Sequence, residues 1–200
     1  ATQDARTCGT TASLCGIEKG LYEEDEGQVA SGIRRDLMMH AAVMCMAGFP
    51  MLSSGDEIGQ LNGYGYHDDP TLREDSRNLH RTPFNWDAAA RRTAPGTVQQ
   101  RIWAGLRQLE KLRAGQPCFG PGAWVTTWDA HNNSVLAIVR RTGDETMACL
   151  FNFSGRTQTV RLNGLEGEFT DLISGETACC PSGTLEPYQY RLCLGGTSGR

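Results

Sequence analysis

The feature that most constrains this chain is a change of hydrophobic period at Pro117. Upstream, apolar residues recur at three and four positions: Ile33, Leu37, Met38, Ala41, Ala42, Met44 and Cys45 mark one helix over residues 28–47. Ile102, Trp103, Leu106, Leu109 and Leu112 mark a second over 97–114, with Thr97 placed to cap it and Pro117 just beyond its end. Downstream, the period is two. Segments 123–129, 135–141, 146–153, 158–162, 167–172 and 188–194 are short and rich in β-branched and aromatic residues. Turn residues separate them, as in His131-Asn132-Asn133, Thr142-Gly143-Asp144 and Asn163-Gly164. A helical stripe and a two-residue alternation bury different surfaces, so the pattern predicts an α/β part followed by an antiparallel β module.

The first part has further punctuation. A short helix is expected over 10–17, then an acidic break at 23–27. Gly48 suits a helix C-terminal cap, and Phe49 to Leu52 has the length of a buried strand, closed at once by the turn-forming Ser53-Ser54-Gly55. Residues 55–96 are polar, Gly-rich and aperiodic, too long for an ordinary connection and therefore expected to be a functional loop. The expected division is 1–116, 117–194 and a frayed Gly/Ser tail over 195–200, with no repeat at solenoid periods.

Composition removes several classes of function. With 39% hydrophobic residues the chain has enough large side chains to build a core, which excludes disorder. Lys plus Arg number 19 against 23 Asp plus Glu, so no broad basic field exists for nucleic acid. The longest apolar stretch, 41–46, is far shorter than the roughly 20 residues of a bilayer span, so no membrane partner is expected. The eight cysteines are scattered among apolar or small neighbours, and Cys179-Cys180 lacks metal-ligand spacing. They read as free structural thiols of a reducing, cytoplasmic compartment, with no metal and no cofactor. The polar opening ATQDARTCGT has neither initiator Met nor signal-peptide order, and is expected to be cut from something longer.

One sequence position resembles a reactive site: Gly55-Asp56-Glu57, directly after the expected strand. Adjacent carboxylates point apart, however, whereas a glycosidase needs two carboxyls facing each other at about 5 to 9 Å. Asp56 and Glu57 are therefore read as loop organisers that accept backbone N–H bonds, not as catalytic residues. His80, without a carboxylate or cysteine at metal spacing, reads as a packing or capping group. Trp103, Trp124, Trp128 and Tyr188 have faces that stack on sugars, but their places in periodic segments read as core or interface.

The run Gly48-Phe49-Pro50-Met51-Leu52-Ser53-Ser54-Gly55-Asp56-Glu57-Ile58-Gly59 resembles the Gly-x-Pro-x-x-x-x-Gly-(Asp)-Glu segment at the last barrel strand of the α-amylase superfamily, glycoside hydrolase family 13. Three further matches narrow the resemblance to the amylosucrase subgroup. They are Gln60-Leu61-Asn62 with Asp75-Ser76-Arg77-Asn78-Leu79-His80-Arg81, the stretch Asp4-Ala5-Arg6-Thr7-Cys8-Gly9-Thr10-Thr11-Ala12, and the terminal Leu185-Glu186-Pro187-Tyr188-Gln189. Ser53 departs from the pattern, which has Tyr there.

The resemblance implies the last helices and last strand of an incomplete (β/α)8 barrel over 1–116, followed by a C-terminal β-sandwich. It implies a parent enzyme that transfers glucosyl units from sucrose to α-glucan or water with retention, and whose Asp nucleophile, Glu acid/base and second Asp all precede residue 1. No catalytic residue is then present, and the piece alone is expected to be inactive. A sucrose hydrolase, a trehalose-forming isomerase or a noncatalytic glucan-binding module are the alternatives. By the same resemblance Arg77 pairs with an acidic residue of the missing barrel half and closes the donor-glucose pocket, and Arg6 contacts the acceptor side. Sucrose, α-glucan and that missing N-terminal part are the expected partners. Without the motif, a solvated charged loop of Arg73, Glu74, Asp75, Arg77 and Arg81 is the plainer reading.

Overall fold

The computed structural model describes residues 8–178 and 181–196, which divide into two compact units. One comprises residues 8–36 and 52–105, the other 37–51 and 106–196.

The second unit is mostly antiparallel sheet. Its strands are β1 (Trp124–Trp128), β2 (Val135–Thr142), β3 (Glu145–Asn152), β4 (Gln158–Val160), β5 (Phe169–Asp171), β6 (Thr177–Ala178), β7 (Gly183–Leu185) and β8 (Tyr190–Gly196). Six of them form one sheet in the order β1-β2-β3-β8-β5-β6, and β4 pairs with β7 in a second. The register sets Val139 opposite Ala148, and Ala148 opposite Cys193. Strand alternation then sends Ala137, Val139, Ala148, Leu150 and Cys193 into one core, where they meet Val160, Leu165, Phe169 and Leu185. Ile138, Arg140, Met147, Cys149 and Leu192 belong to the opposite face and are buried too. β3 is thus covered on both sides, which explains why its run from Thr146 to Asn152 reads as continuously buried.

That opposite face meets the end of a helix. Helix α3 spans Glu26–Cys45 and supplies residues 37–45 to this unit. Arg140, only 2% exposed, donates from Nε to Cys118 O at 2.7 Å and from Nη1 to Cys45 O at 2.9 Å and Met46 O at 3.3 Å. Helix termini leave backbone carbonyls without intrahelical partners and carry partial negative charge, so a guanidinium is a fitting cap. Arg113 closes the same end, donating to Met44 O and, at 2.9 Å, to Gly48 O. The Phe119 ring lies 5.1 Å from the Arg140 guanidinium and 5.5 Å from that of Arg113. Burial pulls the Arg140 pKa down from its ordinary value, yet a guanidinium stays charged. Beside it, the fully buried Cys149 thiol hydrogen-bonds to Cys45 and is held well above the usual thiol range, as befits a packing group. Among the described residues Cys8, Cys15, Cys45, Cys118, Cys149 and Cys193 form no disulfide.

In the first unit, α1 (Thr11–Leu14) starts at Thr10, whose Oγ1 accepts from Ser13 N, and α2 (Ile17–Tyr22) follows. Asp25 Oδ1 accepts from Gln28 N at 2.9 Å at the start of α3. A β-carbon at Gly32 would stand 2.8 Å from Ile17 Cγ1, so glycine there sets how closely α2 approaches residues 26–36. Residues 56–93 are not one open loop. They fold as 3-10 turns at Asp56–Ile58, Tyr64–Asp68, Ser76–Leu79 and Arg91–Thr93, with the short helix α4 over Trp86–Ala90. Helix α5 (Val98–Gly115) begins where Thr97 Oγ1 accepts from Gln100 N at 3.1 Å.

Two expectations are corrected. Phe49 to Leu52 forms no strand, and Phe49 and Met51 are 98% and 87% exposed. A parallel strand exists only between neighbours that satisfy its N–H and C=O groups, and the described strands all lie after residue 123 and pair antiparallel. The second correction adds β6 and β7, two and three residues long, too short to show a period.

Arg140→Met keeps the stem but leaves the carbonyls of Cys118, Cys45 and Met46 without a donor. It should cost about 2 to 4 kcal/mol of stability, read as a lowered urea midpoint at unchanged m-value; a loss below about 0.5 kcal/mol would show the cap to be dispensable.

Candidate functional site

The site is built where residues 9–13 meet the turn at 53–62. Gly55 adopts φ 101°, a left-handed conformation natural to glycine, and opens the 3-10 turn at Asp56–Ile58. Asp56 Oδ2 accepts from Ser53 N at 2.9 Å and Glu57 Oε2 from Gly55 N at 2.9 Å. Both carboxylates therefore hold the backbone of the turn. Gln60 continues the network: its Nε2 donates to Thr82 Oγ1 at 2.7 Å and Pro83 O at 3.1 Å, and its Oε1 accepts from Asn85 N at 2.9 Å.

Asn62 ties this turn to the first helix. Its Oδ1 accepts from Thr10 N at 2.8 Å, its N–H donates to Ser13 Oγ at 3.0 Å, and its Nδ2 donates to Glu18 Oε2 at 3.1 Å, which also accepts from Tyr64 OH at 3.1 Å. His80 Nδ1 accepts from Gly9 N at 3.3 Å. Around these groups lies a small cavity of ≈ 50 Å³, lined by Thr10, Ser53, Ser54, Asp56, Gln60 and His80 among others. A second cavity of ≈ 300 Å³ shares Gln60 and is lined further by Asn62, Thr82, Asn85, Arg91 and Gln99.

Arg77 and Asp75 form a fork. The 3-10 turn over Ser76–Leu79 is capped by Asp75, whose Oδ1 accepts from Arg77 N at 3.0 Å. Arg77 Nε then donates to Oδ1 at 2.8 Å and Nη2 to Oδ2 at 2.6 Å. Both side chains remain partly exposed, 44% for Arg77 and 37% for Asp75. Hydrogen bonds from the Arg77 side chain and backbone hold the Asp75 carboxyl down at about 2. Arg6 lies outside the described residues.

The structure thus joins Asp56 and Glu57 in one turn and Asp75 and Arg77 in another. Sequence reasoning singled out none of Ser13, Glu18 or Asn62, although Asn62 stands inside a quoted motif. Their signal is spatial, since 49 residues separate Ser13 from Asn62. Chemically the site offers hydroxyl, amide and imidazole groups, while the Asp56 and Glu57 carboxylates are occupied by backbone N–H groups and that of Glu18 by Asn62 and Tyr64. Among the described residues no three His, Cys, Asp or Glu side chains gather to hold a metal, and no helix is long and apolar enough to cross a membrane.

Residues 125–192 match the family described as maltogenic amylase, C-terminal domain. A glucosylglycerate phosphorylase of Allomeiothermus silvanus is 27% identical over 158 residues, covering 78% of this chain and 26% of that protein. The crystal structure of AmyP in complex with maltose superposes with a TM-score of 0.69 at 21% identity, over 85% of this chain and 36% of that one. The trehalulose synthase MutB from Pseudomonas mesoacidophila MX-45 superposes at 0.60 with 20% identity, over 81% and 38%. The chain spans well under half the length of each of these proteins.

A depressed carboxyl pKa means that the fork contributes stability above the ordinary value of 3.8 and loses it as pH falls towards about 2. A carboxyl-carbon NMR titration should show Asp75 ionised at pH 3, and Arg77→Ala, which keeps the backbone N–H of residue 77, should raise its midpoint part of the way towards the ordinary range near 3.9. An unchanged Asp75 midpoint in that variant would remove the fork as the cause.

Proposed function

Because the chain is related to the α-amylase-type glycoside hydrolases of family 13, we propose that it is the C-terminal part of a retaining α-glucosyl-transferring enzyme of amylosucrase type. The observation that carries this reading is an order of segments. A match to a maltogenic amylase C-terminal domain over 125–192 follows, in one chain, the Gly48-to-Gly59 and Asp75-to-Arg81 segments. On this reading residues 1–116 form the last part of a (β/α)8 barrel whose remaining strands lie upstream. The exposure of Phe49 and Met51, at 98% and 87%, supports a covering barrel half, since isolated domains seldom leave two such neighbouring side chains bare.

The division of labour follows from chemistry. A retaining transfer needs a nucleophile and a general acid facing each other, and these come from the upstream half. This chain supplies positioning. Arg77 presents a planar fork to a carboxylate at the closed end of the donor pocket, and Arg6 meets the acceptor. Alone, residues 1–200 turn over no sucrose, because binding groups cannot replace the missing carboxylates.

A second reading is favoured by the relative named glucosylglycerate phosphorylase: the enzyme passes its glucosyl unit to inorganic phosphate. The two differ in product. Fused to its upstream coding sequence, the amylosucrase-type enzyme should release fructose from sucrose and lengthen α-glucan without phosphate. Phosphate-dependent formation of a glucosyl phosphate would move the assignment to the second reading.

In that full-length enzyme Arg77→Ala should lower kcat/KM on the glucosyl donor by a hundredfold or more, about 2.7 kcal/mol, since each 1.36 kcal/mol is tenfold. Arg77→Lys should not rescue it, because a point charge lacks the fork. Near-normal kinetics in Arg77→Ala would return Arg77 to an exposed loop pair.

A further inference from the structure

The ≈ 300 Å³ cavity beside Gln60 belongs wholly to the first unit, between residues 59–63, residues 82–85, helix α4 and the first turn of α5. Its walls are fixed by the chain itself. The Gln60 amide clamps the 82–85 segment through Thr82 Oγ1, Pro83 O and Asn85 N. A β-carbon at Gly63 would stand 2.0 Å from Thr82 Cγ2, so the two segments touch there and only glycine lets them. Small-molecule sites begin at about this volume, which suits a ligand built on one sugar ring.

The side chains that line it have donors to spare. Arg91 ends α4, where its backbone N–H donates to the helix carbonyls, but among the described residues no hydrogen bond or ion pair engages its guanidinium. The neighbouring Arg92 donates from Nη1 to Ala89 O at 2.8 Å, so the carbonyl end of α4 has its own cation and leaves Arg91 to the cavity. Asn85 uses Oδ1 on Ala88 N at 2.9 Å and keeps Nδ2, while Gln99 keeps its whole amide. Thr82 Oγ1 accepts from Gln60 and keeps its hydroxyl hydrogen. No Asp or Glu among the described residues lines the cavity. A permanent cation with no carboxylate partner, set among neutral donors, is a setting for an anion.

We propose that the cavity lined by Thr82, Asn85, Arg91 and Gln99 is a binding site for a phosphate group, carried by a small sugar or free in solution. The spare donors come from three places in the chain: the 82–85 segment, the end of α4 and the start of α5. A tetrahedral oxyanion offers oxygens in as many directions, whereas a planar carboxylate is filled by the guanidinium fork alone. The fork takes two phosphate oxygens, and the Asn85 and Gln99 amides take a third oxygen or the hydroxyls of an attached sugar. The proposal rests on neither enzymatic reading above, since binding here makes and breaks no bond.

The test is an amide NMR titration of residues 1–200, in a phosphate-free buffer, with glucose 1-phosphate, inorganic phosphate and glucose. Glucose 1-phosphate should shift the signals of Leu61, Asn85, Arg91 and Gln99 saturably, and glucose should not. Tighter binding of the ester than of inorganic phosphate makes a sugar phosphate the ligand; equal binding makes it the free ion. Arg91→Ala should weaken binding by about tenfold or more, and Arg91→Lys, a point charge without the fork, should restore only part of it. Arg156→Ala removes an exposed arginine from the other unit and should leave the affinity unchanged. Should Arg91→Ala fail to fold, Gln99→Leu, which removes one neutral donor and no charge, should weaken binding several-fold and carries the same test. Absence of saturable shifts in the unsubstituted chain, displacement of the phosphate ligands by glucose, or equal losses in Arg91→Ala and Arg156→Ala would overturn the proposal.

Discussion

Arg140 places a permanent cation inside the second unit and satisfies it with the carbonyls of Cys118, Cys45 and Met46. Removing a guanidinium from water is costly, and the cost is offset only where several acceptors converge with partial negative charge. A helix C-terminus is such a place. Because Arg140 pairs with Met147 in the register, its side chain leaves the sheet on the face opposite the sandwich core. A one-residue slip of β2 would turn it towards Ala148 and Leu150 instead, and turn Ala137 and Val139 out of that core. Strand register and the seating of residues 37–51 are therefore coupled through one side chain.

Asn152 plays the corresponding part at the other end of β3. Fully buried, it donates from Nδ2 to Arg156 O at 2.7 Å and Glu186 O at 2.9 Å, and its Oδ1 accepts from Ser154 N at 2.9 Å and Ser154 Oγ at 2.7 Å. One amide thus satisfies backbone groups that no ladder reaches, and pins the 154–156 turn beside the 185–186 segment. Arg140 and Asn152 are polar groups in a dry layer that define where the irregular segments go.

What was legible in the sequence follows from how local each cause is. The β1, β2, β3 and β8 segments were readable because alternation over five or more residues is a local signal, bounded by residues that favour turns. Thr97 was readable as a cap because it precedes the stripe of α5. Phe49 to Leu52 misled because a buried parallel strand and an exposed apolar run have the same composition, and only neighbours distinguish them. The short turns of residues 56–93 leave no period at all, being made by Asp and Asn side chains closing on nearby N–H groups. For the same reason the cavity walls were legible only as residue types. Asn62 bonds to Thr10, Ser13 and Glu18 across 44 to 52 residues, which no spacing announces.

The Asp75–Arg77 fork bears on how one arginine can serve two partners. Its local pairing is short-range, made within one 3-10 turn, and partly open to water. Exposed ion pairs are worth about 0 to 1 kcal/mol net, because solvent competes for both charges. A carboxylate offered in a drier setting would hold the same guanidinium more firmly, since the Coulomb attraction grows as the effective dielectric falls. The residue with most to lose in such an exchange is Asp75, whose carboxyl is held at about 2 by Arg77 and whose remaining bond is the cap to Arg77 N. That cap, from the backbone N–H of residue 77, does not depend on the Arg77 side chain. On the proposed reading, an arginine preset by its own turn but only weakly committed there would meet a second carboxylate without refolding the loop that carries it.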